Sequence, residues 1–488
     1  SVMTSKGESK RPSYLINRVK QVFPKLVVEK EEMDTSYEKI MGSDKGKSYL
    51  ISHLADGTYA KDVIWWEIAS HYEKKTPGIL KDLLRIREKR AGNNSLKKEA
   101  AKRLFGDVLY GSVTRFEQYV QCPFAFFAHY GLLLNERQQY EISSLDHGNL
   151  FHQAMEHLSH ELEQRNKNWQ DLSEEEAVLL ASECVDAVAE RYQGRKYFQS
   201  NRVSFMLKRL KNEVVHSVWA MWHQMQEGDF VQTYTEKGFR GNDKEWESMC
   251  IPFGEDAKIC LDGVIDRVDL CSLPGEELIK IIDYKSSDSQ DLLLAKVYYG
   301  LQMQLLTYLE AAKEMVEKEH KGKEAIPAAM LYYAIKEKNL DWKPESEEEY
   351  EKRVLDSMKC KGYVNEEPEI IGHLDKSVVN GGELIPGQKS GVVPVAVDKK
   401  GLLKKNSGTL STKDFETLIA HTKEKMKECG KAILDGKIEA IPYVYEDNDG
   451  CTYCPYGSVC GHESKKDGVR EMKKMSDDEV WEALYGDD

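Results

Sequence analysis

At 488 residues, 41% of them hydrophobic, the chain can bury a sizeable core and has room for about three domains. A formal net charge of −14 excludes a generally basic, nucleic-acid-coating protein but leaves room for an enzyme with a local basic groove. No apolar run approaches a membrane span, no signal peptide opens the sequence, and ten cysteines are too sparse for a disulfide scaffold, so a soluble, cytoplasmic protein without a membrane partner is expected. The chain begins with Ser rather than Met, which reads as a piece of a longer protein.

Residues 1–12 are polar and read as loose, and 13–23, 46–54, 58–73 and 78–90 read as helices punctuated by Pro and Gly. Gly42-Ser43-Asp44-Lys45-Gly46-Lys47-Ser48 resembles a phosphate loop but is one residue short and lacks a preceding strand; it reads as a helix start. Residues 112–134 form an aromatic-rich helix entered through the capping box Thr114-Arg115-Phe116-Glu117. In the helix at 146–163, Leu150, Phe151, Ala154 and Leu158 make the apolar stripe, with Gly148, His152 and Glu156 beside it. A lone His there is ordinarily a satisfied side chain, and a metal ligand is the sharper alternative. Residues 172–229 read as a helical insertion whose basic cluster, Arg202, Lys208, Arg209 and Lys211, is a solvated face or a track for DNA.

Residues 258–287 carry the chemistry. They read as two strands joined by the turn Leu273-Pro274-Gly275. The period of two puts Asp262, Val264, Asp266 and Val268 on one face, so Asp266 is held in apolar company where a bare carboxylate is costly unless paired or holding a metal. In the second strand Asp283 and Lys285 project from one face beside Ile279 and Ile281. Asp266, Asp283 and the Tyr284 carbonyl are hard oxygen donors suited to Mg²⁺ or Mn²⁺. Lys285 would orient a water and stabilise charge developing on a phosphate. The pattern is that of a metal-dependent phosphodiesterase, with a structural ion pair as the bland alternative.

Downstream, a helix is expected at 295–317, with Gln304 and Tyr308 one turn apart, and a strand at 327–336. Residues 339–408, acidic and then Gly/Pro-rich, read as an irregular surface elaboration, and 411–435 as a helix. Cys451-x2-Cys454-x5-Cys460 offers three soft ligands, and Cys122, followed by Pro like Cys454, is the best fourth. Such a site would staple distant parts of the chain. Spacing alone suits zinc and a [4Fe–4S] cluster equally, and His462 could complete a Cys₃His zinc site. Cys184, Cys250, Cys260, Cys271, Cys360 and Cys429 read as ordinary thiols.

Taken in order, SVTRFEQYVQCPFAFFAHYGL, GNLFHQAMEHL, LDGVIDRVDL, IIDYKSS, YYGLQMQLLTYLEAA and CTYCPYGSVC resemble the nuclease part of the AddB family of bacterial AddAB helicase–nuclease subunits. More broadly they resemble RecB-family nucleases of the PD-(D/E)XK superfamily. The likeness covers roughly residues 110–463, and residues 1–108 resemble, more weakly, the end of the helicase-like part of AddB. It implies an α/β restriction-endonuclease-like core, a central mixed sheet flanked by helices, with helical insertions and an iron–sulfur staple joining its ends. The implied domains are 1–108 and 109–488, the latter with an insertion at 172–229, an elaboration at 339–408 and a cluster-binding segment at 451–460. His152, Asp266, Asp283 and the Tyr284 carbonyl match the metal ligands, Lys285 the catalytic lysine, and Gln304 and Tyr308 the Q-x3-Y motif beside the site. Cys122, Cys451, Cys454 and Cys460 match the [4Fe–4S] ligands. The implied activity is Mg²⁺-dependent exonucleolytic cleavage of DNA during end resection of double-strand breaks, in a heterodimer with an AddA-type helicase–nuclease partner. A CRISPR-associated exonuclease of the same superfamily and a catalytically silent, cluster-stapled DNA-binding or scaffolding module stay open as alternatives.

Overall fold

The computed structural model describes residues 14–26, 43–56, 62–90, 95–135, 144–193, 201–240, 246–254, 257–285, 291–335, 343, 346–462 and 468–486. The chain divides into two compact units, Ser1–Gly92 and Asn93–Asp488. The first is helical: α1 (Tyr14–Val22), α2 (Ser43–Asp56), α3 (Val63–Lys75) and α4 (Ile79–Arg90). Its core is Leu50, Leu54, Trp65, Ala69 and Tyr72. Asp62 caps α3 by accepting from the Ile64 and Trp65 amides. The loop resembling a phosphate loop runs into α2, while Gly42 and residues 1–12 lie outside the described residues.

The second unit begins with α5 (Lys98–Phe105), β1 (Val108–Gly111), α6 (Val113–Gln121), α7 (Pro123–Phe126) and a π turn over Phe127–Gly131. Then come α8 (Ser144–Gln164), α9 (Glu174–Gln193), α10 (Asn201–Gln226), β2 (Val231–Phe239), β3 (Met249–Phe253), β4 (Ala257–Leu261), β5 (Gly263–Leu273) and β6 (Glu276–Lys285). After α11 (Leu294–Tyr298) and α12 (Gln304–Glu319) follow β7 (Glu324–Ala334), α13 (Glu347–Ser357), β8 (Lys361–Asn365), α14 (Pro368–Leu374), the short pair β9 (Val379–Asn380) and β10 (Glu383–Leu384), and β11 (Thr409–Leu410). The unit ends with α15 (Thr412–Leu434), β12 (Tyr443–Tyr445), β13 (Asn448–Asp449), α16 (Gly457–Cys460), β14 (Arg470–Glu471) and α17 (Asp477–Tyr485).

The core is a six-stranded mixed sheet in the order β11-β8-β7-β6-β5-β2. β6 lies at its middle, antiparallel to β5 and parallel to β7. A strand covered on both faces needs apolar residues at successive positions. In β6, Leu278, Ile279, Ile281 and Ile282 satisfy this. Ile279 and Ile281 join a core with Leu305, Leu309 and Ala312 of α12, and Leu278 and Ile282 join another with Leu210 and Val214 of α10. On the second face Asp269 holds Arg267 (2.7 and 3.0 Å) and Lys280 (2.8 Å) in a buried ionic triad.

Several expectations change. The strand foreseen from 258 breaks at Asp262: β4 joins β1 and β3 in a separate sheet, while β5 enters the large one. Gly263 permits the switch, because a Cβ there would stand 2.5 Å from the Phe239 ring. The helix at 112–134 breaks at Cys122, whose extended backbone is what a following proline demands. The helix at 295–317 breaks after Tyr298, with Gly300 at φ +79°. The stretch 339–408 is not irregular: it supplies α13, α14 and β8, and β8 pairs with β7 in the main sheet. Cys250 and Cys260 are not free thiols but a disulfide, since β3 and β4 set them directly opposite each other. Within the basic cluster Arg209 pairs with Glu213 and Lys211 with Asp186; the Arg202 side chain lies outside the described residues.

Candidate active site

The site lies on the acidic stretch of β2, β5 and β6. The ladder pairs Thr235 with Arg267 and Lys237 with Ile265, which sets Glu236 opposite Asp266. Carried one residue past Arg267 and Ile282, the β5–β6 register sets Asp266 opposite Asp283. Glu236, Asp266 and Asp283 thus form one row across three neighbouring strands. Directly opposed like charges destabilise a sheet. Glu236 also holds the left-handed backbone conformation (φ 45°), uncommon for a residue with a side chain.

His152 reaches this row from α8. Its Nδ1 lies 2.9 Å from Glu236 Oε1 and 3.5 Å from Asp266 Oδ1. Burial opposes protonation of His152, but Glu236, Asp266 and Asp283 outweigh it and raise the imidazole to about 9. The ligand-capable atoms of His152, Glu236 and Asp266 all lie within 4.8 Å of one another. They border an open cavity of ≈ 340 Å³ with Asn149, Gln153 and Glu156. Burial, then repulsion from Asp283, pushes the Asp266 carboxyl well above the usual carboxylate range; burial also raises Asp283, against the pull of Lys285. Buried acids that repel one another, with one imidazole among them, fit a hard divalent cation.

Asp283 Oδ2 lies 2.6 Å from Lys285 Nζ. That ammonium also donates to Gln304 Oε1 (3.0 Å) and sits over the Tyr332 ring, 5.4 Å from its centroid. Gln304 Nε2 donates in turn to the Tyr308 hydroxyl at 3.1 Å. The Tyr284 amide donates to Asp266 Oδ2 at 2.6 Å, locking that carboxylate to the neighbouring strand. The structure therefore brings His152, Asp266, Asp283, Tyr284, Lys285, Gln304 and Tyr308 to one place. Ser286 and Ser287 lie outside the described residues.

Two acids of this region escape sequence reasoning. Glu236 has no motif around it, and only the strand register reveals its place. Glu117, expected in a capping box of its own helix, does not cap it: Ser112 is the N-cap of α6, without a side-chain bond. Glu117 Oε1 instead accepts from the Met303 and Gln304 amides, at 2.6 and 3.2 Å.

Cys122, Cys451, Cys454 and Cys460 gather away from the acids. The other three thiols all act on the ionisation of Cys451, which burial pushes up to about 11. The Cys122 sulfur accepts from the Phe124 and Ala125 amides, and Cys454 from that of Tyr456. Asp449 Oδ1 accepts from the Cys451 and Thr452 amides, at 2.8 and 2.6 Å, and so fixes the turn that presents Cys451. Cys122 packs with Ala125, Ala128 and Tyr456, and with partly buried Phe124, Leu134 and Cys454. His462 meets Cys460 through its backbone amide (3.4 Å). Four thiols in an apolar shell with amides aimed at sulfur suit a thiolate-bound metal centre.

Comparison with known proteins agrees with this geometry. The family profile described as the PD-(D/E)XK nuclease superfamily matches residues 111–461. Over 99% of its length the chain is 34% identical to the ATP-dependent helicase/deoxyribonuclease protein AddB of Lachnoclostridium phytofermentans, covering 41% of that protein. Proteins of the same name from Clostridium perfringens (31% identity) and Thermoanaerobacter sp. (30%) match 98% of the chain, which covers 42% of each. The chain thus spans about two-fifths of the length of these relatives. With an acidic row on adjacent strands, a lysine two residues beyond its last acid, and a family match running from β1 to α16, the chain belongs to the PD-(D/E)XK nuclease superfamily.

Proposed function

We propose that this chain hydrolyses DNA phosphodiester bonds with Mg²⁺, as the nuclease part of the AddB component of a cytoplasmic, AddAB-type helicase–nuclease that resects double-strand breaks. The observation that carries the reading is the row of Asp266 and Asp283 with Lys285 held beside it by Gln304. Asp266, Asp283, His152 and the Tyr284 carbonyl would hold the cation, and Glu236 is a further donor within reach. When bound, a divalent cation supplies Lewis-acid polarisation of the phosphate and a water of lowered pKa. Lys285, kept between Asp283 and Gln304, orients the attacking water and meets the negative charge that grows on the phosphate. Gln304 and Tyr308 keep that ammonium in place, and the buried walls around Asp283 strengthen its field.

Cys122, Cys451, Cys454 and Cys460 would hold a [4Fe–4S] cluster as a structural staple, because the thiols come from segments more than three hundred residues apart yet act on one another. The ATP-dependent helicase action named in the relatives would come from regions outside this chain and from an AddA-type partner, which would cut the opposite strand.

The test is cleavage of linear DNA with and without Mg²⁺ by the parent and by Asp283→Ala. The substitution should lower cleavage on the order of 10³-fold with the melting temperature unchanged. Full Mg²⁺-dependent activity in the variant overturns the assignment.

A further inference from the structure

We propose that Glu117 is a positioning residue for Lys285, acting through the first turn of α12; the inference rests on the nuclease reading above. A helix begins with amide groups that have no partner within it, and α12 has no side chain of its own to meet them: Met303, its N-cap, makes no cap bond. The turn is buried, with Met303 fully inaccessible, so water does not serve. Glu117, on α6 and 186 residues away from Met303 in sequence, supplies the acceptor, one carboxylate oxygen taking both amides. A carboxylate at a helix N-terminus also meets the positive end of the helix dipole.

Gln304 is where this cap becomes functional. Its amide is held by Glu117, and its side-chain oxygen holds Lys285 Nζ. The position of the ammonium is therefore set in two steps from Glu117: carboxylate to the Gln304 backbone, then the Gln304 side chain to Lys285. Without the cap, the first turn of α12 loses its anchor and carries Gln304 with it. The same helix that bears Glu117 ends at Cys122, so the cysteine-bearing segment and the lysine are joined by one short path. Glu117 stands near enough to Asp283 and Lys285 to feel both charges, which makes a direct charge role the competing explanation.

The experiment uses the full chain isolated with its iron, and compares Glu117→Ala, Glu117→Gln, Gln304→Ala and the double variant Glu117→Ala/Gln304→Ala. Three readouts are taken: hydrogen exchange of the peptide covering the first turn of α12, Mn²⁺ affinity by electron paramagnetic resonance, and cleavage kinetics. Glu117→Ala should speed exchange in that turn and lower kcat about 100-fold, with KM and Mn²⁺ affinity unchanged. Glu117→Gln keeps an acceptor oxygen without the charge and should stay within about tenfold of the parent. The double variant should be no slower than Gln304→Ala, since the two act along one path. Unchanged exchange in Glu117→Ala overturns the proposal. So does a Glu117→Gln variant as impaired as Glu117→Ala with weakened Mn²⁺ binding, which marks a charge role instead. If Glu117→Ala does not fold, Glu117→Asp, whose shorter side chain withdraws the carboxylate, carries the same comparison. Faster exchange in an otherwise parent-like protein that shows no Mg²⁺-dependent cleavage even before substitution would sink the nuclease reading and leave the positional link standing.

Discussion

Glu236 joins the acidic row by register alone. It is opposite Asp266 on a strand some thirty residues upstream, in a left-handed conformation that turns its carboxylate to His152. If it helps hold a cation, Glu236→Gln should weaken Mn²⁺ binding by roughly 10- to 100-fold; a calorimetric titration with parent-like affinity removes it from the ligand set. Asp266, Asp283 and Lys285 were legible in the sequence because a period of two predicts which side chains share a face without knowledge of the neighbouring strand. Asp269 belongs to the other face, where Arg267 and Lys280 hold its carboxyl below the usual range despite burial. Asp269→Ala leaves those cations unpaired and should cost about 3–5 kcal/mol, read from urea unfolding. Because folding lowers its pKa, the stability contributed by ionised Asp269 is whole above its unfolded pKa of about 4 and is lost as pH falls below it. Acidification from about pH 6 to about pH 3 should therefore lower the parent's urea midpoint more than the variant's; equal losses would mean that Asp269 carries no acid sensitivity.

At the scale of elements, the departures from expectation all concern where a helix or strand stops. Aromatic and apolar spacing runs unbroken through 112–134, yet Cys122-Pro123 splits it, and that break turns the Cys122 thiol toward the C-terminal cysteines. The break at Gly300 starts α12 afresh at Gln304, so that the residue meeting Lys285 sits on a helix N-terminus rather than mid-helix. Neither is visible in periodicity, which reports a face and not a boundary. Where the cysteine segment crosses the end of α6, Gly450 stands so close that a Cβ would lie 2.9 Å from the Gln121 carbonyl oxygen and 3.2 Å from Pro442. Gly450→Ala should accordingly cost about 1–3 kcal/mol by overpacking. A urea midpoint equal to the parent's would show that this crossing yields freely.

Across the whole second unit, two hydrophobic cores share one sheet, and the thiols bind its first helices to its last segment. If those thiols hold iron, the protein isolated anaerobically should absorb broadly near ~400 nm with acid-labile sulfide. Cys451→Ala should then lose that absorption and melt at a lower temperature, because the staple restricts the unfolded chain; an equal melting temperature would end the staple idea, and zinc in a colourless protein would replace the cluster. What the sequence determined by itself is what short-range spacing carries: the paired acids and lysine on adjacent strands, the Gln304–Tyr308 turn, the cysteine triad and the α/β class, all set by periods of two and 3.6 and by ligand spacing. What only the tertiary structure decided is what depends on long-range register and close approach. Glu236 enters the acidic row, Glu117 caps a helix 186 residues away, Cys250 meets Cys260, and β8 joins the sheet, because side chains distant in sequence become neighbours only when the strands and helices that carry them have packed.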